Sequence, residues 1–181
     1  MPAPTELVSP SVEFRDSYRG FVAEFAERNE KPIPFTLTFD SGDFAALVER
    51  LAACSRGIGL PDGFVAHSSY WLVRDRAEVV GVSNLRHALT PALRREGGHI
   101  GYSIRPSARG QRLGTEILRQ TLLRAAGLGL PDVLITCAKA NAASARVILR
   151  NGGELQSEAF VPERGEIVQS YRIRIAANAL R

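Results

Sequence analysis

The chain is poor in several residue types, and each shortage narrows what it does. Cysteine occurs twice in 181 residues, at Cys54 and Cys137. Two isolated cysteines make no disulfide framework, so a reducing, cytoplasmic setting is expected, although a single bridge between them is left open. Long apolar runs are missing: stretches such as Val133 to Ile135 or Tyr70 to Val73 are strand-sized, far short of a membrane span. The residues from Met1 to Leu7 carry neither a basic n-region nor an apolar h-region, which speaks against a secretory signal. There is no internal repeat, no low-complexity tract and no residue pattern that asks for a metal. Nor is there a basic stripe. The 23 lysines and arginines, which leave a net charge of +4, are scattered in short pairs such as Arg94-Arg95 without interleaved aromatics. A nucleic-acid surface is therefore not expected, and an anionic cofactor is the better use for some of these arginines.

What is present is the composition of a globular domain, with 45% apolar and 23% charged residues. The length suits one domain over 1–181, with a helical part at about 11–60 and a core at about 70–175. Tyr18, Phe21, Val22 and Phe25 recur at helical spacing behind Ser11 or Ser17 as cap. A second amphipathic helix through Phe44, Leu47, Val48 and Leu51 is expected to open at Asp40 or Ser41. The period then changes. Tyr70 to Val73 and Glu78 to Arg86 read as a hairpin around a polar turn, and Gly98 to Ile104 as a third strand. Ile100, Tyr102 and Ile104 share one face of that strand, while His99, Gly101 and Ser103 share the other. Beyond Pro106 the order is helix (Leu113 to Ala125), strand (Val133 to Cys137), helix (Asn141 cap to Asn151-Gly152), then strands at Leu155 to Phe160 and Glu166 to Ile175. Val133 to Cys137 reads as a strand buried on both faces, with Cys137 a core thiol. A mixed sheet with helices on both faces follows.

The informative stretch is Ile104-Arg-Pro-Ser-Ala-Arg-Gly-Gln-Arg-Leu-Gly-Thr115. A strand runs through Pro106 into a small, basic loop and the first turn of a helix. Amides of a first turn lack intrahelical partners, and the helix dipole favours negative charge there. Gly110 removes a Cβ where a phosphate would approach, and Arg105, Arg109 and Arg112 would add screening charge. Together these features suit a pyrophosphate. Taken alone the junction fits a plain tight turn equally well, and it is neither a P-loop nor the dinucleotide fingerprint.

Arg109-Gly-Gln-Arg-Leu-Gly114 resembles the acyl-CoA signature of the GNAT N-acetyltransferase family, (Arg/Gln)-x-x-Gly-x-(Gly/Ala). Downstream, Asn141-Ala-Ala-Ser144 leading to Gly152 is similar to the family's second block, and Gly97-Gly-His-Ile-Gly-Tyr-Ser-Ile-Arg-Pro106 to the fourth strand of a little-characterised branch. The likeness covers about Tyr70 to Ile175. It implies an α+β, three-layer GNAT fold with a central, mixed, mostly antiparallel and splayed sheet. It also implies acetyl-CoA, or coenzyme A, as cosubstrate. Pantetheine would pair with the strand at Tyr102, Ser103 and Ile104, and the pyrophosphate would sit on amides from Arg109, Gly110, Gln111, Arg112, Leu113, Gly114 and Thr115. Asn141 would bond the pantetheine or lie near the thioester. Two positions depart from the family pattern. Arg112 stands where the signature most often has Gly, and Ile148 replaces the Tyr that protonates the leaving thiolate in many relatives.

An alkyl amine of pKa near 10.4 is neutral about once in a few thousand molecules at pH 7, so a base is valuable for acetyl transfer. His99 is the candidate base, with a structural histidine as the competing reading and Glu96 in reserve; His87 and Asn84 could line an acceptor pocket. Ser144 is the candidate thiol-contacting or catalytic hydroxyl, with Tyr102 or water as alternatives. Trp71 and Tyr70 read as sheet core. The expected activity is direct transfer from acetyl-CoA to a small-molecule amine or a protein N-terminus. The runner-up is a non-catalytic acyl-CoA-binding sensor, and a different phosphate-anion module comes third. Homodimers are common among relatives, and the sequence does not fix the oligomeric state.

Overall fold

The computed structural model describes residues 4–175; the two ends of the expected 1–181 domain, 1–3 and 176–181, lie outside the described residues. A hairpin organises the first half. Strands β2 (His67–Arg74) and β3 (Glu78–Arg86) pair antiparallel. Asp75 and Arg76 between them have φ of 51° and 57°, as tight hairpin turns require. Strand β1 (Thr5–Val8) adds to β2, and β4 (Ile100–Ile104) adds to β3, giving the order β1-β2-β3-β4. A second sheet has the order β5-β7-β6, from Asp132–Ala138, Glu166–Arg174 and Glu154–Val161 respectively. Every ladder within the two sheets is antiparallel.

Helices cover both faces. On one, α1 (Arg15–Glu27) and α2 (Phe44–Ser55) bury Tyr18, Phe21, Phe25, Phe44, Leu47 and Leu51 against Trp71, Val73 and Val82. Trp71 is fully buried, stacked on Tyr18 with ring centroids 4.6 Å apart, so it is core, as its sequence context implied. Each such side chain contributes about 1.5–3 kcal/mol. On the other face, α4 (Leu113–Gly127) packs Ile117 against Leu72 and Val80, and Leu118 and Ala125 against Leu85 and Val133. Helix α5 (Ala142–Arg150) contributes Ile148 to that second core. The short α3 (Pro91–Arg95) lies in the β3–β4 connection, and among the described residues no helix is long and apolar enough to cross a membrane.

Four expectations are corrected. Strand β1 lies ahead of the helical part expected at about 11–60 and was not expected; with four residues and only Leu7 buried, it is too short to display a period. The cap of α2 is Asp43, whose Oδ1 accepts from the Ala46 amide at 3.0 Å, because Asp40 is spent on the Gly42 amide in its own turn. Strand β4 starts at Ile100 rather than Gly98, since Gly97 and Gly98 take φ of 113° and 61° and interrupt the ladder. Strand β5 is not buried on both faces: Val133, Ile135 and Cys137 are, whereas Leu134 and Thr136 are half-buried and turn toward the start of β4.

The two sheets meet at that point. The His99 amide donates to the Leu134 carbonyl at 2.7 Å, and the Leu134 amide donates to His99 Nδ1 at 2.9 Å. Gly98 runs against the same carbonyl so closely that a Cβ would lie 2.4 Å from it. Beyond this contact β4 and β5 are not paired, and the sheet splays.

Candidate active site

The free edge of β4 follows from its register. Arg86 N bonds His99 O at 2.8 Å and Arg105 N bonds Val80 O at 2.9 Å, so the odd residues of β4 face β3. Antiparallel geometry then turns the amides and carbonyls of Tyr102 and Ile104 toward the splay, where no strand pairs with them.

The same splay receives the turn before α4. Arg109 N donates to Pro106 O and Thr115 N to Arg112 O, which removes both from the expected set of free amides. Among the described residues the five consecutive amides from Gly110 to Gly114 have no protein acceptor, and a φ of 82° at Gly110 starts the bend that presents them. Arg112 sits at the helix N-cap with φ 62°. The family's preference for Gly at this place thus has a backbone cause, since the left-handed region is costly for a residue with a Cβ. Gly114 allows α4 to approach α5, because a Cβ there would lie 3.1 Å from Val147 Cγ2.

Gly110, Arg112, Leu113 and Gly114 line one cleft of about 540 Å³, together with Tyr102, Ser103, Ile104, Asn141 and Ser144. Asn141 Oδ1 caps α5 by accepting from Ser144 N at 3.0 Å, which leaves the Nδ2 donor for the cleft. The Tyr102 and Ser144 hydroxyls are 3.1 Å apart. Burial pushes the Tyr102 phenol up to about 12, against the opposing pull of Ser144, so it keeps its proton at neutral pH. Ile148 is fully buried in the core, so no side chain from that position reaches the cleft. Cys137 is likewise a buried thiol, its pKa raised by burial.

Other expected residues are placed differently. His99 is not among the residues that line the cleft; its Nδ1 is occupied by the Leu134 amide, and burial lowers its basicity, so it serves as the clasp between the sheets. Glu96 ends α3 and also lies off the cleft. The Gln111 side chain turns away to accept from Arg74 at 3.0 Å. Arg105 is paired with Glu24, and Arg109 forms a two-pronged bridge to Glu30 at 2.9 and 2.5 Å, so neither guanidinium is free for a phosphate. The Ser103 hydroxyl donates to the Ile33 carbonyl. Tyr70 lies under the Arg124 guanidinium, away from both cavities described below and above.

Among the cleft residues that the sequence did not suggest are Arg146 and Arg150, which project from α5, and Lys31 and Ile33, from the chain after α1. The arginines were legible as i, i+4 neighbours on the helix that Asn141 opens; Lys31 and Ile33 arrive only through tertiary packing. Lys31, Arg112, Arg146 and Arg150 supply the cations that Arg105 and Arg109 do not. The free amides of the turn, a free strand edge, these cations and the paired Tyr102 and Ser144 hydroxyls fit an extended thioester carrying phosphates.

A model of the acetyltransferase (GNAT) domain matches residues 37–154. Comparison with curated protein sequences finds no match. Among solved structures, the fold is similar to RimL, a ribosomal L7/L12 alpha-N-protein acetyltransferase in complex with coenzyme A (19% identity, 98% of this chain and 100% of that chain, TM-score 0.70). It is similar also to Mycobacterium smegmatis RimJ in complex with CoA-disulfide (17%, 94% and 81%, TM-score 0.69). A third is the microcin C7 self immunity acetyltransferase MccE in complex with acetyl-CoA and AMP (14%, 94% and 92%, TM-score 0.66).

Proposed function

Since the chain belongs to the GNAT acetyltransferase family, we propose that it is one N-acyltransferase domain moving an acetyl group from acetyl-CoA to a primary amine by direct attack. The observation that carries this reading is the convergence of the free amides of Gly110, Arg112, Leu113 and Gly114 with the free edge of β4 in one cleft. Acetyl-CoA supplies the activated acetyl thioester: a C–N bond replaces the C–S bond, one amine proton passes to solvent, and the sulfur takes up a proton.

The chain's own groups divide the remaining work. The amides and Arg112, Arg146 and Arg150 hold phosphates; the Tyr102 and Ile104 edge orients the pantetheine arm; Asn141 Nδ2 donates to it. Tyr102, kept protonated by its burial and bonded to Ser144, is placed to give the departing sulfur its proton.

Among the described residues no free base lines the cleft, since Glu30 is held by Arg109. That favours an acceptor whose amine needs little help. A peptide α-amino group of pKa about 7.7–8.0 is neutral in roughly a tenth of molecules at pH 7, a few hundredfold more than an alkyl amine. A peptide N-terminus is the acceptor class this supports best; in a free amino acid the adjacent carboxylate holds the proton on the amine more tightly. RimL, named for its action on a protein N-terminus, is a structural neighbour in the same class.

The lack of a free base also favours a second reading, a non-catalytic acyl-CoA sensor. Thermal shift with acetyl-CoA, coenzyme A and ATP tests the shared part: at about a hundred times Kd, acetyl-CoA adds about 2.7 kcal/mol of apparent stability. ATP stabilising as well as acetyl-CoA would instead indicate a general phosphate module. Release of free coenzyme A with an α-amine panel separates enzyme from sensor.

A further inference from the structure

A second cavity lies on the α1–α2 face of the first sheet, and its chemistry bears on the acceptor. It encloses about 250 Å³, the size of a single residue rather than a large polyamine, between Phe35, Phe64, Leu93, His67 and Arg86. Its walls are mostly apolar or aromatic, yet two hydrogen-bond donors converge on it.

His67 is 2% exposed, and its Nε2 has no partner. Asn84 Nδ2 donates to His67 Nδ1 at 2.8 Å and toward the Ser68 carbonyl at 3.4 Å, with Ser69 Oγ also within 3.2 Å. The neutral imidazole therefore carries its proton on Nε2. Arg86 is the second donor. One of its nitrogens bonds the carbonyls of Gly97 and Gly98 at 3.2 and 2.9 Å, and among the described residues no carboxylate pairs with it. A buried donor without an acceptor and a half-buried cation without an anion are both costly unless a ligand completes them. Two further unpartnered groups lie nearby: the Thr36 hydroxyl in the turn Phe35–Thr38, and Asn84 Oδ1.

The pocket adjoins the acyl-CoA cleft. Asn84 is the register partner of Gly101 on β4, and Pro34 covers Gly101. The segment Ile33 to Phe35 forms a shared wall, with Ile33 lining the cleft and Phe35 the pocket. Arg86 reaches from the pocket to the carbonyls of Gly97 and Gly98 just before β4, and Asn84, on β3 between His67 of β2 and Gly101 of β4, adds an acceptor without a partner, Oδ1. We infer that this pocket binds the acceptor, and that the acceptor is an α-amine bearing a carboxylate and a small apolar group. The carboxylate meets Arg86 and His67 Nε2–H, the apolar group lies among Phe35, Phe64 and Leu93, and the amine points toward β4. This rests on the transferase reading above and narrows its substrate.

The carboxylate comes from a free amino acid or from an acidic residue just inside a peptide N-terminus, and paired acceptors separate the two. Wild-type enzyme and acetyl-CoA are assayed for coenzyme A release with leucine against leucinamide, and with C-terminally amidated Leu-Asp against Leu-Asn peptides. Acceptor binding is read independently as the thermal shift each compound adds to protein saturated with coenzyme A. One pair should favour its carboxylate member by at least about tenfold, and R86Q should bring that member down to its amide partner while the Kd for acetyl-CoA stays within about threefold. Should R86Q fail to fold, F64A takes its place, with the expectation that leucine loses its advantage over glycine. Acetyl-CoA binding accompanied by equal rates and equal shifts within both pairs would overturn the acceptor assignment alone; acetyl-CoA failing to bind would overturn the transferase reading and this one with it.

Discussion

His99 and Leu134 are bonded to each other twice, amide to carbonyl at 2.7 Å and amide to imidazole Nδ1 at 2.9 Å, where the start of β4 meets β5. A histidine used in this way is a fastener for the splay rather than a proton carrier. H99A leaves the Leu134 amide without its acceptor at a half-buried position, and stability should fall by about 1–3 kcal/mol in a denaturant titration. Because the splay sets both the β4 edge and the α4 turn, the Kd for acetyl-CoA and kcat should worsen together. Loss of a titrating limb from the kcat profile, with Kd unchanged, would return His99 to the role of base.

His99 lies off the cleft, away from the place expected of it, for an identifiable reason. Alternation along Gly98 to Ile104 correctly grouped His99 with Gly101 and Ser103, but it carried no information about which neighbour that face meets. Leu113–Gly127 was legible because burial on one side imposes a helical period, and Glu78–Arg86, buried on both faces, was legible as a β-branched run behind a polar turn. The cofactor turn was legible because glycine spacing and a strand-ending proline are local. Ion pairs were not. Arg105 and Arg109 looked free in sequence, and only the return of α1 with Glu24 and Glu30 shows otherwise. Of the polar pocket only Asn84 was singled out in sequence, together with His87, and neither lines it; His67 from β2 and Phe35 from the segment after α1 meet there only through tertiary packing.

Arg112 carries a conformational cost together with a charge, and R112G separates them. The left-handed backbone costs about 1–2 kcal/mol with a side chain, of which the looser unfolded state of glycine returns about 0.5–1. The variant should therefore melt slightly higher, by about 0.5–1 kcal/mol. It also loses an exposed cation beside the five amides, worth about 0.2–1 kcal/mol, so acetyl-CoA should bind up to about fivefold more weakly and with less salt dependence. Tighter binding by R112G would mean that the side chain obstructs the phosphates.

The Tyr102–Ser144 pair makes a claim about kcat alone. Y102F removes the buried proton donor and keeps the ring in place, so kcat should fall about a hundredfold while the acetyl-CoA Kd moves by less than about threefold. S144A, which leaves the phenol but takes away its partner, should fall by less. With Tyr102 at about 12, activity should show no loss attributable to this group below about pH 10. A Y102F enzyme with wild-type kcat would leave the departing sulfur to solvent.

His67 makes stability depend on pH. Burial first, then the positive charges of Arg86 and His87, push it down from 6.5 to about 4. Between those values the unfolded chain binds a proton that the folded chain refuses, so the contribution is complete above pH 6.5 and is lost as pH falls toward 4. The loss amounts to about 3 kcal/mol for this one site. His87 and His99 are lowered by burial as well and steepen the same window, whereas Glu24 and Glu30, held down by Arg105 and Arg109, act only below about 4.5. Urea titrations from pH 7.5 to 4 should therefore show a falling midpoint in the wild type. H67Q should start lower at pH 7.5 and fall less steeply, the two curves converging near pH 4. Parallel curves would mean that His67 takes up a proton in the folded state as readily as in the unfolded one, and that its Nε2 reaches water.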